Sequence, residues 1–473
     1  MITNKIVYRK LLTSLLVISL YGCNEIVVEL PSTIELRKGY SVQLYSPSNN
    51  VEWGSSNTAV ATVSSTGLVT AKGVGNATIY TQSSGSNQNI VCYLEVHPKR
   101  NILFYIGAGE SLINGDAPEK INNIRSGWRP GEGEMLIYID RISSGASLLR
   151  ISDTLNNNGY YKLDTIQDYG VENSADPNTL KKVIAKMNVD YPADSYGMIF
   201  FSHGSGWLPE GTLNAPRSLV IDNGSTTNKE MEYADFAAAI PDKQFDFIIF
   251  EACLMADVLF MYDLRKKTDY VLASSAEIVQ PGFADIYEAK IMNLYDVKTP
   301  VSSIITDFGQ SYYDHIIQKH AESSSLRSVT MSLMKMDEME KLAQATKAAL
   351  KGKDVLESNV AKIDSIQSFD RRNTSTFGRQ NRSRFFDFAH AMENLTSAND
   401  YNTFNEQMNR TVIWKASTKR FLLGNNINGQ PDYSEYDGFF IKHHSGLTTY
   451  IKQSVYPDLN SKFKESSWYK AIR

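Results

Sequence analysis

FDFIIFEACLMADV, residues 245–258, is the stretch from which the fold can be read. Asp246 is the one polar residue before Glu251, and Phe247-Ile248-Ile249-Phe250 is a short β-branched and aromatic run. Such a run predicts a strand buried on both faces of a parallel sheet. Leu254, Met255, Val258, Leu259 and Met261 then follow at helical spacing. The pattern predicts a strand followed by a helix, with Cys253 at the junction. Functional crevices of open α/β sheets lie at the carboxyl ends of strands, and a helix N-terminus there would stabilise a thiolate.

Ser195–Trp207, SYGMIFFSHGSGW, repeats the pattern, with a buried run at Met198–Phe201 and then His203-Gly204. His203 precedes Cys253 by fifty residues, which leaves room for one crossover between neighbouring parallel strands. An imidazole beside a thiol supplies the base a nucleophilic cysteine needs. The amides of Gly204 and Cys253 are the natural donors to an oxyanion. A zinc site is not expected. There is no C-x2-C and no H-E-x-x-H, His443 and His444 are adjacent, and His315 and His320 are five apart, off a common helical face. No G-x-S-x-G elbow or phosphate-binding glycine loop follows a strand.

HGSGW at 203–207 and EACLMADV at 251–258 resemble the clostripain family of cysteine peptidases, on the caspase-like fold. Caspases also place a Gln-Ala-Cys run about fifty residues after their His. The resemblance runs from about Asn101 to the C-terminus. It takes in LFYIGAGESL at 103–112, nearly all of Asp176–Trp207, SGLTTYI at 445–451 and SSWYKAI at 466–472. It implies an α/β, mostly parallel sheet flanked by helices and an endopeptidase acting on protein or peptide substrates. His203 would be general base and acid, Cys253 the nucleophile, and Gly204 and Cys253 the oxyanion hole.

The resemblance also implies cleavage after Arg or Lys, because the family carries an Asp two residues before its Cys. This chain has Glu251 there. On a strand, positions 251 and 253 point the same way. A carboxylate beside a thiol raises the thiol pKa, which a site tolerates if the carboxylate binds a cationic side chain. A second acidic residue is expected in the loop Ala273–Glu288, with Glu277 and Asp285 as candidates. Family members are commonly activated by cleavage at a basic residue in the loop after the His, here Arg217, with Lys229 later. Calcium is implied by resemblance alone, since no D-x-D-x-D-G loop occurs.

Upstream, Lys5, Arg9 and Lys10 precede a mostly apolar segment, Leu11–Leu20, too short to span a bilayer. Leu20-Tyr21-Gly22-Cys23 resembles a bacterial lipoprotein signal, which implies lipidation at Cys23 and an exported protein anchored in the bacterial cell envelope. Residues 24–98 read as a small all-β sandwich, and Val51–Tyr80 resembles bacterial immunoglobulin-like group 2 domains. Its expected core is Trp53, Val60, Val63, Val69, Ala71, Ala77 and Ile79, with Cys92 buried beside Leu94 and Val96. Residues 99–473 form the peptidase part. The three cysteines leave no disulfide framework, and a net charge of −4 carries no basic bias toward nucleic acid. Met336, Met339, Leu342, Ala343, Thr346 and Leu350 form a helical core stripe, and the arginine-bearing segment Ser365–Phe385 reads as a solvated loop. The alternative function is a non-catalytic adhesion lipoprotein on a peptidase scaffold.

Overall fold

The computed structural model describes residues 33–46, 51–83, 90–107, 110–141, 144–212, 221–222, 229–370, 382–433 and 437–473. Cys23 and Arg217 lie outside the described residues. The chain divides into two compact units, Met1–Arg100 with Arg129–Gly133, and Asn101–Trp128 with Glu134–Arg473.

In the first unit, alternating apolar residues make two small sheets among the described residues. One is ordered Thr33–Arg37, Ile90–His97, Gly75–Ser83, Val51–Ser55, and the other Ser41–Gln43, Leu68–Ala71, Ala61–Val63. Val60, Val69, Ala71, Ala77, Ile79, Cys92, Leu94 and Val96 are buried between them, with Trp53 and Val63 at the margin. Period-two burial explains why Cys92 behaves as a small apolar residue.

The second unit is built on a mixed sheet of nine strands among the described residues. In chain order they are β1 (Arg100–Ile106), β2 (Met135–Arg141), β3 (Gly145–Leu155), β4 (Tyr161–Gly170), β5 (Ser195–Phe201), β6 (Phe245–Glu251), β7 (Thr268–Ala273), β8 (Thr330–Lys335) and β9 (Val412–Ser417). Their spatial order is β4-β3-β2-β1-β5-β6-β7-β8-β9. β5, β6 and β7 pair in parallel, as do β1 and β2. Both flanks are antiparallel: β2-β3-β4 on one side and β7-β8-β9 on the other. The sheet is thus parallel where the site sits and antiparallel at its edges.

Alternation sorts the central strands between two cores. Tyr105, Tyr138, Phe200, Ile248 and Phe250 face one way, beneath α2 (Pro177–Asp190), α3 (Tyr233–Ala239), α4 (Val258–Leu264) and α7 (Met339–Leu350). Phe104, Ile137, Ile199, Phe247 and Ile249 face the other, beneath α1 (Ala117–Gly127), α5 (Ala284–Lys290) and α6 (Val301–Lys319). The runs read as continuous hydrophobics because both faces are dry. The methionine stripe of α7 and the turn before it is buried as core. Asp176 caps α2, its Oδ1 accepting from the Asn178 amide at 2.8 Å.

Two expectations are corrected. α4 begins at Val258, capped by Asp257, so Cys253 sits in an irregular turn five residues ahead of it. The helix dipole is therefore not directed at the thiol. The second correction concerns the segment read as a solvated loop. Residues 371–381 lie outside the described residues, but Ser368–Asp370 before them and Ser383–Phe385 after them are buried. Asp370 accepts from the Arg384 amide at 2.9 Å and from Ser383, and the Arg384 guanidinium lies 5.0 Å over the Tyr456 ring.

Candidate catalytic cleft

The β5–β6 register pairs Phe201 with Glu251 at the carboxyl ends of adjacent parallel strands. His203 and Cys253 each lie two residues beyond that pair, so the fifty-residue spacing brings them out side by side. Both line one cleft with Leu112, Asp116, Lys120, Phe201, Glu251, Glu277, Ile278, Gln280, Pro281 and Gly282. The Cys253 Sγ is partly exposed and accepts from the Ile278 amide at 3.4 Å. Gly204 presses on the backbone of Cys253: a Cβ there would stand 2.5 Å from the Cys253 carbonyl oxygen. A glycine is what lets the histidine loop and the cysteine turn approach this closely.

The turns after both strands are held from behind. The Leu254 amide donates to Ala276 O at 2.8 Å and the Ala256 amide to Ser274 O at 2.9 Å. Leu254 takes a positive φ of 62° within its turn. Trp207 is buried against Tyr450, ring centroids 4.7 Å apart, and against Phe463. The Thr448 amide donates to Ala256 O at 2.8 Å. The C-terminal segments thus buttress the turns that carry His203 and Cys253. Asp257 caps α4 beneath them, and burial lifts its pKa to about 8.

Glu251 is placed in the cleft but not as an open carboxylate. Its Oε1 accepts from Lys120 Nζ at 2.5 Å and from the Phe283 amide at 2.6 Å. Its Oε2 accepts from the Tyr287 hydroxyl at 2.6 Å. Both side chains of the ion pair are 1% exposed. Burial and the neighbouring Glu251 charge hold the Tyr287 phenol far above its ordinary pKa, so it remains a donor. The reading of Glu251 as a receptor for a substrate cation is therefore corrected, because a cation of the chain already fills that place. Asp285 is also corrected. It is held by His315 at 2.9 Å and Lys319 at 2.6 Å on α6 and is not among the cleft-lining residues. Glu277 does line the cleft, and so does Asp116, which accepts from Gln280 at 2.7 Å.

Lys120 and Asp116 escaped the sequence reading. The available signal was local: Ala117, Lys120, Ile121 and Ile124 share the buried stripe of α1, where a lysine is out of pattern.

Two groups among the described residues could gather around a metal: His390, Glu393 and His443, and Glu35, Glu95 and His97. Each includes imidazole nitrogen, whereas calcium takes oxygen donors. The implied calcium fits neither group.

A model of the clostripain family matches residues 105–468, and one of the bacterial Ig-like domain (group 2) matches residues 31–90. Among solved structures, an inactive zymogen C11 protease from Parabacteroides distasonis is 26% identical, with a TM-score of 0.64. The similarity covers 80% of this chain and 99% of that one. A secreted C11 cysteine protease from Bacteroides thetaiotaomicron, solved with an irreversible peptide inhibitor, is 27% identical with the same TM-score and the same coverage. No curated protein matches the chain. With the family model spanning most of the sequence and a thiol and imidazole in one cleft, the chain belongs to the clostripain family of cysteine peptidases.

Proposed function

We propose that the protein is an exported, lipid-anchored endopeptidase working through a Cys253–His203 dyad. The observation that carries this reading is the convergence of His203 and Cys253 from paired parallel strand ends into one cleft. His203 takes the thiol proton as Cys253 Sγ attacks the scissile carbonyl carbon. The developing oxyanion is met by the amides of Gly204 and Cys253. His203 then protonates the departing amine as the C–N bond breaks, leaving an acyl-thioester. Water, deprotonated by His203, hydrolyses the thioester and restores the thiol.

Attachment rests on the lipoprotein-like segment ending at Cys23. A lipid on Cys23 would be the anchor; among the described residues no helix is long and apolar enough to cross a membrane. Maturation by cleavage at Arg217 is proposed alongside, since the Parabacteroides relative is described as an inactive zymogen. An irreversible peptide electrophile tests the dyad: it should modify Cys253 in the wild type and nothing in Cys253→Ala. Labelling that survives the substitution would favour the adhesion-scaffold reading.

A further inference from the structure

Away from the cleft, the Ig-like unit gathers its own set of titratable side chains. Ile34, Leu36, Leu94 and Val96 pack in its core, so alternation turns Glu35, Glu95 and His97 to the outer face of the sheet. The edge strand Thr33–Arg37 pairs in parallel with Ile90–His97, in a register that sets Glu35 opposite Glu95 and Arg37 opposite His97. Like charges directly opposed across two strands destabilise the pairing, and a cation between them removes that cost. The Arg37 guanidinium is engaged by Glu132 at 2.6 Å. His97 is only 8% exposed, and its Nε2 has no hydrogen-bond partner among the described residues. That nitrogen lies 3.6 Å from Glu35 Oε2 and 3.5 Å from Glu95 Oε1. A charge-assisted hydrogen bond would close to about 2.7–2.9 Å. The ligand atoms of a tetrahedral zinc ion, each about 2.0–2.1 Å from the metal, stand about 3.3–3.4 Å apart, which is close to the spacing seen.

We propose that Glu35, Glu95 and His97 bind a divalent transition-metal ion of the zinc class, which ties the edge strand to its neighbour. The set offers one nitrogen and two carboxylate oxygens. Its two negative charges match the charge of the ion, and three protein ligands leave a fourth position for water. The glutamate side chains are 57% and 48% exposed, so the ion has a path from solvent. Zinc motifs place their ligands close together in sequence, whereas sixty residues separate Glu35 from Glu95. The group of His390, Glu393 and His443 differs. The His390 and His443 rings stack with centroids 3.7 Å apart and 23° between their planes, so one ion cannot lie in both ring planes. His390 Nδ1 also accepts from the Gln367 amide at 3.1 Å.

The test uses the full chain carrying Cys253→Ala, which removes the cleft thiol as a competing ligand. After treatment with a chelator, dialysis against zinc should load one ion more than the same chain with His97→Gln. Glu35→Gln changes an exposed side chain and leaves the fold intact, and it should weaken that site at least about tenfold. Hydrogen exchange gives a second readout. Zinc at about ten times its Kd should slow exchange of the Thr33–Arg37 amides about tenfold in the parent, and in neither variant. Calcium at the same concentration should leave that exchange unchanged. Equal zinc loading in the parent and His97→Gln, undiminished affinity in Glu35→Gln, or exchange unaffected by zinc would overturn the proposal. So would equal protection by calcium.

Discussion

A Cβ placed on Gly204 would stand 2.5 Å from the carbonyl oxygen of Cys253 and 3.1 Å from its amide nitrogen. Backbone meets backbone there, so no side-chain movement relieves the clash. Gly204→Ala should displace the histidine turn from the cysteine turn and lower kcat/KM about a hundredfold, the usual cost of an ångström of misplacement. Steady-state kinetics checks this, and wild-type turnover in the variant would show that the contact does not position the dyad.

Cys253→Ala and His203→Ala should each abolish turnover while shifting unfolding stability by no more than about 1–2 kcal/mol. Combining them should cost no more activity than either alone, because the two groups act as a unit. Activity that falls further in the double variant would mean the residues contribute independently.

Burial lifts the carboxyl of Asp257 to about 8 and presses the imidazole of His444 down to about 3. The folded chain therefore keeps a proton on Asp257 that the unfolded chain releases above its ordinary value of 3.8, so this group lowers stability as pH rises through about 8. His444 acts oppositely between about 3 and 6.5, where the unfolded chain binds a proton the folded chain refuses. The two slopes offset below pH 6.5; above it Asp257 still lowers stability, and burial also raises the carboxyls of Asp370 and Asp387, which act in the same direction. Denaturant melts should show a loss of up to about 2 kcal/mol between pH 6.5 and 8. Asp257→Asn keeps the cap and should flatten that slope. An equally steep slope in the variant would assign the loss to another group.

Cys23→Ser should move the protein from the detergent phase to the aqueous phase. Retention of the variant with detergent would refute the lipid anchor.

Mass spectrometry of active protein should find a new N-terminus at Ser218, and Arg217→Ala should stay a single chain. A fully active, uncleaved wild type would remove the maturation step.

The strands leading to His203 and Cys253 were legible because burial on both faces leaves an unbroken apolar run, and the fifty-residue spacing reappears as the β5–β6 register. The Ig-like core was legible for a related reason, since period-two alternation survives in Val69, Ala71, Ala77 and Ile79. The floor of the cleft was not. Glu251 looked like an open carboxylate because its cation stands 131 residues away on another element, and nothing in the sequence around Glu251 marks such a pairing. The hairpin of β3 and β4 went unread because β4 is only half-buried and carries no clean alternation. The start of α4 was misplaced because Leu254 and Met255 match its apolar spacing while standing in a turn.

The Lys120–Glu251 pair also bears on how this cleft could diversify over generations. Either charge lost alone leaves the other buried without a counterion, which typically costs about 3–5 kcal/mol, a large share of a domain's stability. Single-nucleotide drift is thereby blocked in both directions. A lineage could lose this ion pair only by changing both residues nearly together, or after gaining stability elsewhere in the chain. The ion pair acts as a ratchet on descent: relatives should carry both charges or neither.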